Sequence, residues 1–405
     1  MKYVIIGAGA AGVTASKTIR ELGSNNEIVI LSTDDAIHSR CMLGSYISGE
    51  RDEKGLSFIP DGFFEDANIR WLGGATVKSV DTENRNVIFN GGSEAYERLL
   101  IATGSNNVVP PLKGLREASN VFGLRHLTDA KAIRKHAANT ENIVIIGAGL
   151  VGLNAAYALV AMGKKPVVVE ALDSIIPFNL DKRAASAYLE RFEQAGCVFR
   201  LGCKVVEVSL DESNAVTSMT FDNGERISCE LVISATSTRP AIDFLANSNV
   251  ACSGGITVDK YLATNIDGVY AAGDATALSG IWPNAMKQGS VAAKNMCGFP
   301  TAYVDAFSLK NTVNFFGLQS LSVGITEPAE GDTVEILEDR KNYMKTILRN
   351  GTVAGAIIQG DISNSGIWQY LVKNKLDISG INKPVRKLSF ADFFGVEANG
   401  EYKWS

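Results

Sequence analysis

Only three histidines occur in 405 residues, and no two of the six cysteines form a Cys-x-x-Cys pair. The usual signatures of a zinc site and of a redox dithiol are therefore missing. His38, His126 and His136 have no metal-ligand spacing, so no metal is expected. Cys197, Cys203, Cys229, Cys252 and Cys297 read as small buried hydrophobes, and only Cys41 needs separate treatment. No apolar run approaches the ~20 residues of a membrane helix. Positive charge is not in excess either. The formal net charge of −5 argues against nucleic acid, whose phosphates need a basic face. The first strand starts directly after Met1-Lys2, with no leader pattern before it, and a cytoplasmic protein is expected.

What the chain does have is one phrase written twice. Residues 4–12 read VIIGAGAAG and residues 144–152 read VIIGAGLVG. Each is an apolar run closing in G-x-G-x-x-G and opening into an alanine-rich stretch. That is a strand, a tight turn and a helix suited to a dinucleotide pyrophosphate. Gly7 and Gly147 allow the turn, Gly9 and Gly149 let phosphate approach the backbone, and Gly12 and Gly152 let helix meet strand. Free N–H groups at each helix start attract the anion. Two such units in one chain point to two dinucleotides and to electron transfer between them.

The spacing predicts a helix over 10–22 and strands at Glu27–Leu31, Ile69–Leu72, Thr76–Asp81, Asn86–Phe89 and Arg98–Ala102. The second unit follows the Pro110–Leu115 linker, with a strand at Asn142–Ile146, a helix over roughly 150–162 and a strand at Pro166–Val169. An acid near the end of the second strand of such a unit bonds the ribose hydroxyls. Asp34 and Glu170 hold those places, and Glu170 repels a 2′-phosphate, which favours NADH over NADPH. After Arg239-Pro240 the chain returns to the first unit, where Gly273-Asp274 follows a short strand and Trp282 to Gly289 opens a helix. Thr333–Leu337, Tyr343–Leu348 and Val353–Gln359 read as antiparallel strands, with Asn350-Gly351 as a type I′ hairpin. The expected division is 1–111 with 240–305, then 112–239, then an α+β domain over 306–405.

These motifs together resemble the FAD-dependent pyridine nucleotide–disulfide oxidoreductase superfamily over the whole length. The elements that carry the likeness are the two glycine motifs, Ala102-Thr103-Gly104, Thr238-Arg239-Pro240 and Ala272-Gly273-Asp274. The likeness is strongest to the branch of NADH:rubredoxin reductases, nitrite reductase flavin portions, NADH oxidases and CoA-disulfide reductases. It implies an α/β fold of two Rossmann-like domains, one for FAD and one for NAD, plus the C-terminal α+β domain. It places Gly7, Gly9, Ala10, Ala11, Gly12, Asp34, Arg40, Val77, Ala102, Thr103, Gly104, Gly273, Asp274, Trp282 and Ala285 on FAD. It places Gly147, Gly149, Leu150, Val151, Gly152, Asn154, Glu170 and Thr236 on NADH. Asp274 would bond the ribityl chain, Val77 would meet the adenine, and a helix starting near Ala285 would aim its positive end at the flavin N1/O2 edge.

Cys41 lies in Ser39-Arg40-Cys41-Met42-Leu43 and divides the functional readings. Aligned one way it matches a redox cysteine, with His38 able to lower its pKa, although an exposed histidine is the more usual outcome. Aligned the other way, Arg40 matches an arginine near FAD and Cys41 only packs. Asn154 stands where the superfamily usually has Glu, and can still bond a carboxamide. The aromatic tail from Leu388 to Trp404 either packs on its own domain or docks a partner. The expected function is transfer of hydride from NADH to FAD, then of electrons to a redox protein (rubredoxin or an iron–sulfur protein) or an associated subunit. A Cys41 thiol, persulfide or peroxide reductase is the alternative, and a slow redox-sensing subunit is a third possibility. Monomer and homodimer both remain open.

Overall fold

A computed structural model describes residues 1–23, 25–304 and 310–404. The first glycine unit builds a five-stranded parallel sheet. Its strands run in the order Val269–Ala271, Arg98–Ile101, Lys2–Ile6, Glu27–Leu31 and Arg70–Leu72. The central strands are continuous apolar runs because both faces are covered: Tyr3 and Ile5 share a cluster with helical Ala15 and Val291, and Val4 and Ile6 share one with Val80 and Val87 of an antiparallel meander; Val4 and Ile5 are wholly buried. Helix α1, Ala10–Glu21, follows the first strand directly. The other helices are α2, Leu43–Ser48; α3, Phe63–Asp66; α4, Leu127–Ala137; α5, Leu150–Ala161; α6, Lys182–Gln194; α7, Trp282–Met296; and α8, Ser365–Asn374.

The second unit repeats the plan. Its parallel sheet runs Val198–Leu201, Val167–Glu170, Ile143–Ile146, Leu231–Ser234 and Val121–Phe122. Each unit inserts a three-stranded antiparallel meander between two sheet strands, at 77–95 before Arg98–Ile101 in the first and at 205–228 before Leu231–Ser234 in the second. Two short strands, Ser105–Val108 and Ser237–Pro240, pair antiparallel where the chain passes between the units.

The C-terminal part is a five-stranded antiparallel sheet in the order 310–315, 318–324, 352–359, 343–349, 333–338. Asn350 and Gly351 both have positive φ, 51° and 76°, as a type I′ turn requires. Helix α8 covers one face, where Leu388 and Phe393 are buried beside Trp368 and Leu371. That half of the aromatic tail therefore packs on its own domain. Phe394–Val396 pairs with Tyr402–Trp404. The expected boundary at 305/306 falls outside the described residues.

The opposite face packs on α6. There the Tyr188 hydroxyl is within 3.1 Å of the Val313 carbonyl, 3.0 Å of the Leu318 carbonyl and 2.9 Å of Ser320 Oγ. Leu43, Ile47 and Leu56 from the first unit share one buried cluster with Leu153 and Leu159 of α5 and with Val313 and Phe315. Each such side chain contributes about 1.5–3 kcal/mol by leaving water. The segment carrying Arg40 and Cys41 is thus fastened to the second unit.

Candidate functional site

The helix starts of α1 and α7 open on one cavity of about 430 Å³ at the C-terminal edge of the first sheet. Such edges are where open α/β sheets bind ligands. The two helices lie unusually close. A Cβ on Gly289 would stand 2.1 Å from the Ala11 carbonyl oxygen, so only glycine fits. Helix α7 begins at Trp282 rather than near Ala285, because Pro283 suits the first turn, where no N–H partner is needed. Trp282 and Ala285 both line the cavity.

Gly7, Gly9, Ala10, Ala11, Asp34, Arg40, Val77, Ala102, Thr103, Gly104, Gly273 and Asp274 line it as well, with Cys41. Gly12 stands behind the turn, where a Cβ would come 1.9 Å from the Gly7 carbonyl oxygen, whereas a Cβ on Gly9 would meet nothing within 4 Å. The first glycine closes the fold and the second leaves room for a ligand. Thr103 Oγ1 is buried without a partner. A dinucleotide fits such a cavity: an open cradle, an orphan hydroxyl and cations for the pyrophosphate.

Those cations come from both units. Arg125 follows the Val121–Phe122 strand of the second sheet, yet its guanidinium reaches Asp274 Oδ2 at 2.5 Å. Ser105 Oγ donates to the same oxygen at 3.0 Å. Gln288, wholly buried, accepts the Gly273 N–H at 2.7 Å and so fixes the Asp274 turn. Arg40 donates to the Arg125 carbonyl at 2.9 Å and to Asp34 Oδ2 at 3.3 Å. Arg125, His126, Asn106, Asp243 and Phe244 also line the cavity, and no sequence motif marks them.

Asp34 departs from its expected surroundings. The strand register that puts Glu170 one residue past Val169 puts Ser32, not Asp34, one residue past Leu31. The anchoring bonds correspond: Gly7 N–H to Leu31 O, and Gly147 N–H to Val169 O. Asp34 lies two residues further on, 3.5 Å from His126 Nδ1 and 4.0 Å from His38 Nε2. Burial raises its pKa, but pairing with His126 and the Arg40 charge outweigh that and hold it below the ordinary value. His38 is buried rather than exposed, and it faces Asp34. Burial pushes its pKa down.

Cys41 is exposed to the cavity. Its pKa is nevertheless raised, by desolvation first and by Asp274, against the lowering effects of Arg125 and Ser39. That direction disfavours the thiolate.

In the second unit, a Cβ on Gly152 would come 1.9 Å from the Gly147 carbonyl oxygen, while Gly149 is open. Both carboxylate oxygens of Glu170 accept backbone N–H groups, from Ala148 at 2.8 Å and Leu172 at 3.0 Å. Leu150 and Val151 form the first turn of α5. Asn154 is exposed and donates to the Leu150 carbonyl. Thr236 donates to the Val108 carbonyl at 3.0 Å, bracing the link between the units. The eight second-unit residues lie apart from the first cavity, along the edge of their own sheet.

Two glycine-turn units in one chain, each a strand, a tight turn and a helix, define an electron-transfer protein built for a pair of nucleotide cofactors. Residues 1–289 match the pyridine nucleotide-disulphide oxidoreductase family, and the chain belongs to it. Residues 310–376 match the rubredoxin NAD+ reductase C-terminal domain. The epsilon subunit of NADH-dependent phenylglyoxylate dehydrogenase from Aromatoleum evansii is 31% identical over 394 residues, 93% of each chain. Rubredoxin-NAD(+) reductase from Ectopseudomonas oleovorans is 29% identical over 314 residues, 74% of this chain and 81% of that one. Among solved structures, the covalent putidaredoxin reductase–putidaredoxin complex superposes with a TM-score of 0.83 at 21% identity, over 93% of this chain and 94% of that one. That last likeness is one of fold. The chain is an NAD(P)H-dependent flavoprotein oxidoreductase using FAD and NADH.

Proposed function

We propose that the chain takes hydride from NADH and passes electrons, by way of FAD, to a redox protein or an associated subunit. FAD belongs to residues 1–111 with 240–305, in the cavity of Asp274 and Trp282, and NADH to 112–239, with Glu170 at its ribose. The observation that carries the choice of acceptor is the match of residues 310–376 to the rubredoxin NAD+ reductase C-terminal domain, which supports a protein acceptor. Burial pushes the Cys41 thiol pKa up, in line with a cysteine that only packs beside the cavity. The two relatives cover both kinds, one a reductase of rubredoxin and the other a subunit of a larger dehydrogenase. Six free cysteines fit a reducing compartment, and we place the protein in the cytoplasm.

FAD supplies the two-electron and one-electron chemistry that no side chain has. The chain's tasks are to bind, orient and tune. Helices α1 and α7 aim their positive ends into the cavity, where they favour negative charge. Arg40 and Arg125, paired with Asp34 and Asp274, would face the pyrophosphate side, and the two acids would meet hydroxyl groups. Fastening of the Arg40–Leu56 segment to α4 and α5 fixes the distance between the two clefts, which is where orientation earns its rate.

An anaerobic NADH titration of the oxidised protein, read from the flavin spectrum, tests this. Two electrons per FAD are expected. Uptake of four would make Cys41 a second redox centre and turn the function to thiol, persulfide or peroxide reduction.

A further inference from the structure

The C-terminal sheet meets the second unit through charge as well as through apolar contact. Asp181, Tyr343 and Lys345 are all buried there, the acid and the ammonium at 7% exposure each. Asp181 Oδ2 accepts the Tyr343 hydroxyl at 2.7 Å and lies 3.2 Å from Lys345 Nζ. Its Oδ1 accepts the Ala184 N–H and so caps α6. Burial and the adjoining acid push the Tyr343 pKa up, so its hydroxyl stays a donor. Lys345 also donates to the Thr326 carbonyl at 2.9 Å, with Glu327 at 3.4 Å. The contact does not need this cluster to hold. Phe192 of α6 already packs on Phe315, ring centroids 5.2 Å apart. A buried ion pair is a poor source of stability, because taking two charges out of water offsets most of their attraction. What it supplies is a fixed register between the parts it joins.

One short segment lies between this cluster and the second glycine turn. Ile176 donates to the Ala148 carbonyl at 2.8 Å, and its own carbonyl accepts the N–H groups of Asn179 and Leu180, directly before Asp181. Ala148 is the middle residue of the Gly147–Gly149 turn and donates to Glu170 at 2.8 Å. Ile176 has φ 42°, a costly conformation for a β-branched residue that persists only where its surroundings hold it. Ala148 holds one side of it and the Asp181 cluster the other. We propose that Tyr343 and Lys345 are positioning residues for NADH. Acting through Asp181, they keep Ile176 against Ala148, and so keep the glycine turn and Glu170 in the shape that takes the dinucleotide. The proposal rests on the reading that the second unit binds NADH, and extends it by giving the C-terminal sheet a part in that site.

Anaerobic stopped-flow reduction of the flavin over a range of NADH concentrations separates the dissociation constant from the limiting rate. Tyr343→Phe removes one hydroxyl and no charge, and Asp181→Asn removes the charge while keeping a cap for α6. Each should raise the dissociation constant for NADH about tenfold, the worth of a hydrogen bond to a charged group, with limiting rate and flavin content unchanged. The double variant should bind no worse than the weaker single one, because both break the same link. Asp332→Asn serves for comparison: Asp332 pairs with Arg349, at the far end of the Tyr343–Arg349 strand. It should lower the melting temperature and leave NADH binding unchanged. An unchanged dissociation constant in Tyr343→Phe and Asp181→Asn would overturn the proposal, a fall in melting temperature then marking the cluster as a structural joint only. An equal loss of NADH binding in Asp332→Asn would overturn it too. If NADH fails to bleach the flavin of the unaltered protein, the underlying reading falls with it. Tyr343→Phe carries the test alone if Asp181→Asn does not fold.

Discussion

At the scale of single residues, the two glycines of one turn separate folding from binding. Gly12 has no room for a methyl group beside the Gly7 carbonyl, while Gly9 has open space and an ordinary extended backbone. Gly12→Ala is expected to cost at least 2 kcal/mol of stability, because the helix must move off the strand. Gly9→Ala should fold with an almost unchanged melting temperature yet retain little FAD after gel filtration. Thermal melts and flavin content on the same samples check both. Glu170 braces Ala148, and in the proposed function it also meets the ribose. Glu170→Ala is expected to narrow the preference for NADH over NADPH by tenfold or more, the worth of a charge-assisted hydrogen bond. Steady-state rates with both donors check it. Equal rates in the unaltered protein would show the ribose contact to be misassigned.

At the scale of elements, the C-terminal sheet carries a pH-sensitive clasp. Asp332 precedes the Thr333–Glu338 edge strand, and Arg349 ends the neighbouring strand. They meet through two hydrogen bonds of 2.8 Å. That pairing, with the Ala329 N–H, lowers the Asp332 pKa to about 2. A depressed carboxylate stabilises the fold above its unfolded pKa, and that stabilisation is lost as pH falls through the folded value. Asp332→Asn should therefore melt lower than the unaltered protein by a constant margin above about pH 5, and the margin should shrink toward pH 2. A margin independent of pH would exclude the clasp.

The same scale shows what was legible in the sequence. Both parallel sheets could be read because their strands are unbroken apolar runs between glycine turns and helices. The hairpin at Asn350-Gly351 could be read from its turn chemistry alone. The Ser105–Val108 and Ser237–Pro240 pair could not, being four polar-leaning residues each, the second ending in a proline. Arg125 was invisible for a different reason. Nothing local marks a loop arginine that tertiary structure carries into the other unit's cavity. Asp34 is counted from Gly12 and does line the cavity, but counting does not reveal that Ser32 is the residue in register with Glu170.

At the scale of the whole molecule, the cavity proposed for FAD has walls from two units, so ligand and architecture would be coupled. A ligand that binds only the folded state adds about 2.7 kcal/mol at a hundred times its dissociation constant. Arg125 and His126 bring part of that to the contact between units. Protein stripped of flavin should show a melting temperature that climbs with added FAD. Cleavage by a protease at the 105–126 and 237–240 crossings should slow in parallel. Protection of the first unit alone would mean that Arg125 is not a cofactor contact.

The first sheet also has a history written into its order. Its edge strand Val269–Ala271 and the helix α7 that presses on α1 come from far beyond the second unit. On the ribosome, at about 5–20 residues per second, the strands made first wait roughly fifteen to sixty seconds for them. The second unit is continuous and needs no such wait. It is the part able to form first, giving the unfinished N-terminal strands a surface, through Leu43 and Ile47, on which to be held until synthesis delivers the rest.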